Sequence, residues 1–143
     1  MSKSDTGLRA LFKSNLPTVD WLAIENSVSS GAPDHNGCVD GKEFWIEYKA
    51  TSTNAIKFRP NQPAWIHRRV RHGGRVWIAI RHKHDGGVRL GKPVDDLILV
   101  HGEHMLNLVE HGVRGIRHHV FCGGDGPIAW DWALVLRALI SEG

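Results

Sequence analysis

Apolar and polar positions change rhythm several times along the chain, and each change marks an element. Leu8, Leu11 and Phe12 recur at helical spacing between Gly7 and Asn15, with Asp5 or Thr6 as a cap and Pro17 as the stop. Residues 19–28 alternate irregularly and read as a strand that contains Glu25. Strict alternation begins after Glu43: Phe44, Ile46 and Tyr48 fall on one side of a strand, Trp45, Glu47 and Lys49 on the other. Asp40-Gly41, between Cys38-Val39 and this run, is the two-residue turn of a hairpin. Asn61–His72 reads as a helix, with Pro60 just before it and Gly73-Gly74 as its stop. The unbroken run Val76-Trp77-Ile78-Ala79-Ile80, between Arg75 and Arg81, reads as a buried strand. Beyond it, residues 84–92 form a Gly-rich turn region, a candidate further hairpin. Leu97–Val100 is a short strand, Glu103–Glu110 a helix, and Ile128–Ile140 a strongly apolar C-terminal helix with Trp130, Leu134 and Leu136 among its buried candidates.

This order predicts one α/β domain over residues 1–143, a central mixed β-sheet flanked by helices, in which the helix after the hairpin is a crossover. The composition agrees with a globular chain: 41% hydrophobic and 23% charged residues. No run approaches the ~20 apolar residues that span a bilayer, and the N-terminus lacks the apolar core of a signal peptide. Two cysteines, Cys38 and Cys122, make no disulfide framework. The expected setting is therefore intracellular, cytoplasmic or within a host cell, with no membrane partner.

Charge changes the picture more than composition does. Between Lys57 and Lys92 ten basic residues face one acid, Asp85, although the whole chain carries only +3. A basic block of this kind suits a polyanion, and nucleic acid is the expected partner. Arg68, Arg69 and Arg71 on the 61–72 helix, with Lys57 and Arg59 before it, are the candidate phosphate contacts.

The charged pair inside the apolar strand carries the candidate chemistry. Burying Glu47 and Lys49 costs several kcal/mol unless the surroundings compensate them, and residues two apart on a strand are imperfect ion-pair partners. Asp34, after Pro33 in the loop before the hairpin, can approach Glu47 once the chain folds back. Two converging carboxylates are hard ligands for Mg²⁺ or Mn²⁺. A water bound to such an ion can attack a phosphodiester, and Lys49 is a compact charge able to orient it or offset developing negative charge.

Pro33-Asp34, twelve intervening residues, then Glu47-Tyr48-Lys49, resembles the PD-(D/E)xK nuclease superfamily. Ser29-Ser30-Gly31 before the Pro-Asp pair extends the likeness, as does the Gln-containing basic helix after Phe58-Arg59-Pro60-Asn61-Gln62. The order is similar to archaeal and viral Holliday-junction resolvases and to VRR-NUC domains. The likeness spans Leu22–Ile80; residues 81–143 carry no motif of that family. It implies a restriction-endonuclease-like core in which Asp34 and Glu47 hold the metal and Lys49 is the catalytic lysine. Gln62 reaches back from the helix to the active centre, and Ser30 touches the scissile backbone. Such enzymes often carry a glutamate on the first helix as a further ligand. Residues 7–15 have none, and Glu25, on the following strand, is the candidate for that role.

The expected function is a divalent-metal-dependent endonuclease acting on DNA, and the resemblance implies selectivity for branched substrates. Nicking, flap or restriction-type cleavage on the same fold is the alternative, and a binding module with an inactive site is another. Cutting both strands of a junction calls for two centres, hence a homodimer, with Trp132 or Leu139 of the C-terminal helix as the partner surface. Three histidine pairs, His82-x-His84, His101-x₂-His104 and His118-His119, match no standard zinc module.

Overall fold

The computed structural model describes residues 7–25, 30–85 and 91–141. In chain order the elements are α1 (Leu8–Asn15), β1 (Asp20–Ala23), β2 (His35–Val39), β3 (Lys42–Thr51), α2 (Gln62–Arg71), β4 (Val76–His84), β5 (Val94–His101), a 3-10 turn (Gly102–His104), α3 (Met105–His111), β6 (Val120–Phe121) and α4 (Trp132–Leu139). The six strands lie side by side in sequence order. Every neighbouring pair is antiparallel except β3 and β4, which run parallel and are joined by α2 as their crossover. The fold is therefore α/β with a central mixed sheet flanked by helices. None of the described helices is long and apolar enough to cross a membrane.

Alternation along β3 divides the core. Phe44, Ile46 and Tyr48 join Trp77, Ala79, Leu97 and Leu99 on one face, covered by Leu8 and Phe12 of α1 and by Val135, Ala138 and Leu139 of α4. On the other face Val76, Ile78, Ile80, Ile98 and Val100 meet Trp65 and Ile66 of α2 and Met105 and Leu108 of α3. Each fully buried large apolar side chain contributes roughly 1.5–3 kcal/mol. Trp45, Glu47 and Lys49 point toward this second face.

Two backbone features fix how the opening segments meet. Asp40 and Gly41 both have positive φ, 52° and 74°, the primed turn whose twist suits a two-residue hairpin. Gly31 is also left-handed, at φ 78°, and a Cβ there would stand 2.5 Å from the carbonyl oxygen of Asn61. The segment before Asp34 is thereby pressed against the start of α2.

Several expectations are corrected. β1 ends at Ala23, so Glu25 lies past the strand in an exposed turn; residues 26–29 of the expected strand and loop lie outside the described residues. Gly7, not a side chain, stands at the N-cap of α1, and Asp5 and Thr6 lie outside the described residues. β4 and β5 are longer than expected and form the antiparallel hairpin foreseen around residues 84–92, of which 86–90 are not described. The C-terminal helix begins at Trp132 rather than Ile128, because Asp131 caps it by accepting the Leu134 N–H at 3.0 Å. That start sets the helical phase: Val135, Ala138 and Leu139 turn inward while Leu134 and Leu136 are half-buried. Trp130 is buried, but ahead of the helix, donating its indole N–H to the Asp95 carbonyl at 2.9 Å. Leu139 is fully buried within its own chain and Trp132 packs edge-on against Phe12, so Leu139 offers no partner surface.

Candidate active site

The hairpin register brings the two acids together. His35 pairs with Ile46 and Asn36 with Trp45; Asp34, the next residue back, bonds to the neighbour of Glu47, and its charge acts on Glu47. Asp34 is tied down through its backbone and side chain. Its carbonyl accepts the Ile24 N–H at 3.0 Å and the Arg9 guanidinium at 3.2 Å. Its carboxylate Oδ2 accepts the Tyr48 N–H at 3.0 Å. The acid is held against the middle of β3.

Glu47 is 0% exposed and Lys49 only 8%. The Lys49 Nζ lies 3.3 Å from Glu47 Oε2, and the Arg59 guanidinium lies 3.7 Å from the same oxygen. Residues two apart on one strand are thus direct ion-pair partners here, contrary to the expectation from spacing. Their side chains leave the same face of the strand. Lys49 also stands over the Phe58 ring, 4.9 Å from its centre.

Gln62, fully buried, enters from the first turn of α2. Its side-chain oxygen accepts the Arg59 N–H at 3.0 Å, while its own N–H donates to the Arg59 carbonyl at 3.0 Å. With the oxygen committed, the amide nitrogen turns toward Glu47. Yet neither that nitrogen nor either carboxylate oxygen of Glu47 completes a hydrogen bond of good geometry. Burial raises the Glu47 pKa above the ordinary carboxylate value, and the nearby Asp34 charge pushes it the same way; Lys49, Gln62 and Arg59 oppose the rise without cancelling it.

Buried polar atoms without partners are rare and costly. Here they are two oxygens and an amide nitrogen converging beside a second carboxylate. A divalent cation would suit such a set, with Asp34 and Glu47 as the residues that would hold it. The hard oxygen donors of Asp34 and Glu47 fit Mg²⁺ or Mn²⁺.

No protein-family model matches this chain, and no curated protein matches it. What the site can do is read from its own atoms.

Among the expected site residues, Asp34, Glu47, Lys49 and Gln62 come together. Glu25 does not join them as a third ligand. The one group of three metal-competent side chains with ligand atoms within 4.8 Å of one another, among the described residues, is His82, His84 and Asp96. Ser30 is exposed, and its hydroxyl accepts the Ala32 N–H at 3.1 Å, a local turn contact. Lys57, Arg68, Arg69 and Arg71 are exposed. The three arginines fill the last turn of α2, where positive charge also favours the helix dipole. Arg69 further lies over the Trp65 and Trp45 rings, at 4.7 and 5.4 Å, so part of its role is packing. Arg59 carries more than surface charge: it touches Glu47 and positions Gln62. Nothing in its sequence context beyond proximity to Pro60 signalled that. Two hollows, of about 330 and 370 Å³, lie elsewhere, the first lined by α3 and residues 115–118, the second by α1, Trp21 and His35.

Proposed function

We propose that the protein is a divalent-metal-dependent endonuclease that hydrolyses DNA phosphodiesters, with a structure-selective, resolvase-like preference for branched DNA. The observation that carries the reading is the buried Glu47 carboxylate, neither oxygen in a hydrogen bond of good geometry, close to Asp34, Lys49 and the Gln62 amide. A merely structural ion pair would complete its hydrogen bonds.

Asp34 and Glu47 would hold Mg²⁺ or Mn²⁺, which when bound makes water more acidic and offsets phosphate charge. Lys49 keeps a fixed positive charge at the point where negative charge develops on the phosphorus oxygens. Gln62 would position the Glu47 carboxylate from the helix side, with Arg59 bracing its amide. Arg59, whose side chain is 23% exposed, marks the edge from which a phosphate can enter. Arg68 and Arg71 lie along the same helix as backbone contacts, giving affinity without base reading. The PD-(D/E)xK likeness supports the same assignment. A homodimer would supply the second centre that a junction requires, through a surface other than Leu139.

The test is cleavage of a four-way junction, a flap, a linear duplex and a supercoiled plasmid, with Mg²⁺ and with chelator. Metal-dependent cutting, strongest on the junction, is expected. Asp34→Asn, Glu47→Gln and Lys49→Ala should each lower the rate by about 100-fold or more, Gln62→Ala less, with DNA binding retained. Metal-dependent cutting strongest on another substrate would keep the nuclease and refute the junction preference. No metal-dependent cutting of any of the four would leave a binding module.

A further inference from the structure

The far end of the same sheet face carries a second constellation. His82 and His84 alternate along β4 and so project to one side. Asp96 of β5 is the cross-strand partner of His82. One ligand atom from each of the three lies within 4.8 Å of the others, and the two imidazole rings are 4.6 Å apart, centre to centre. His82 is buried, while His84 and Asp96 are half-buried, so the group opens to solvent on one side.

One contact makes this set more than a crowd of polar groups. The His82 Nε2 lies 2.9 Å from the Thr53 carbonyl. A carbonyl only accepts, so this nitrogen carries the proton and donates. Nδ1 is then the unprotonated nitrogen, with its lone pair available. A ligating histidine is usually oriented in this way, its other N–H given to a backbone carbonyl. The loop after β3 thus presets the tautomer and ring angle of His82 before any ion arrives.

We propose that His82, His84 and Asp96 form a transition-metal site of the Zn²⁺ class, with a fourth position open to water. Two imidazoles and one carboxylate suit Zn²⁺, and Co²⁺ as its substitute, better than Mg²⁺. Four-coordinate Zn²⁺ holds its ligand atoms roughly 3.3 Å apart, which small side-chain rotations reach from the present spacing. Charge around the site is mixed: Asp95 and Asp125 add negative potential at Asp96, and Arg114 adds positive potential at His82. The site is distinct from the Asp34–Glu47 centre. His82 pairs with Thr51 across β3–β4 whereas Glu47 pairs with Ile78, a separation of roughly 13 Å at ~3.3 Å per residue. It would tie β4 to β5 and, through Thr53, to the loop that follows β3.

Metal-stripped protein titrated with Co²⁺ should take up one equivalent and show the intense visible bands of a four-coordinate ion, which Zn²⁺ then abolishes. His84→Ala and the near-isosteric Asp96→Asn should each weaken binding by about 100-fold or more, circular dichroism confirming that both fold. Glu47→Gln should bind Co²⁺ unchanged, and His84→Ala should keep any Mg²⁺-dependent cleavage, which separates this site from the proposed nuclease centre. Absence of stoichiometric Co²⁺ binding, or binding that survives either His84→Ala or Asp96→Asn, would overturn the proposal and mark the uptake as adventitious.

Discussion

Two ion pairs sit in one sheet on opposite faces, and they are built differently. Arg81 and Asp95, cross-strand on the α1–α4 face, meet through two bonds, 2.9 Å from Nε and 2.7 Å from the terminal nitrogen. The guanidinium also lies over the Trp130 ring at 5.3 Å. Each charge is matched, and the hydrogen bond holds the Arg81 pKa above its ordinary value. Lys49 and Glu47 are more deeply buried, stand 3.3 Å apart and leave both carboxylate oxygens without a good hydrogen bond. The first pair is complete as it stands. The second leaves hydrogen-bonding capacity unused, and under the proposed function a bound cation would complete it.

The largest expected effect comes from breaking the complete pair. Asp95→Ala should cost about 2 kcal/mol in denaturant unfolding, with metal-dependent cleavage retained at the destabilised protein's folded fraction. A cost near zero would erase the contrast between the pairs.

Neutralising the incomplete pair should do the reverse. Glu47→Gln should raise the melting temperature of the metal-free protein at neutral pH while removing activity. The sign follows from proton linkage. The unfolded chain loses the Glu47 proton at the ordinary carboxylate pKa, and the folded chain holds it to higher pH. Between those values the unfolded state binds fewer protons, so metal-free stability falls as pH rises. Added Mg²⁺ should recover the loss in wild type but not in Glu47→Gln. A melting temperature lowered by the substitution would show that Lys49 and Arg59 already satisfy the carboxylate.

The smallest effect concerns the other face in acid. His35 is buried, its Nδ1 2.7 Å from the Tyr48 hydroxyl and its ring stacked on Trp21. Burial first, then the Arg9 and Lys13 charges, lower its pKa from 6.5 to about 4. The unfolded chain therefore takes up a proton that the folded chain refuses, and stability falls as pH drops from 6.5 toward about 4. His35→Gln should flatten that limb, measured as melting temperature against pH, leaving the Glu47 limb in place. The two faces would then titrate in opposite senses.

The hairpin was readable because its signals are local. Asp40-Gly41 admits the primed turn, and strict alternation from Phe44 to Lys49 assigns each side chain to a face. From these, the meeting of Asp34 with Glu47 follows. What was not readable depends on contacts across the chain. Arg59 reaches Glu47 only because the crossover folds α2 back over β3. The 3.3 Å approach of Lys49 to Glu47 reflects confinement by Phe58 and α2 rather than strand spacing. The late start of α4 is not encoded in its apolar pattern, because a run such as 128–140 does not show where a helix begins. Asp131 decides it. The His82–His84–Asp96 group was invisible as a motif, since its third member arrives through the β4–β5 register.

Gly31 bears no functional group, and a reader weighing residue types would pass over it. Its left-handed backbone and the Asn61 carbonyl 2.5 Å from the place of a Cβ mean that even alanine must push the 30–34 segment off the start of α2. Asp34 would move with that segment, and Gln62 would stay with its helix. Under the proposed function, a genetic screen for loss of activity would therefore score this glycine beside the acids and the lysine. Every reactive atom would be present in the inactive protein, held at the wrong distance.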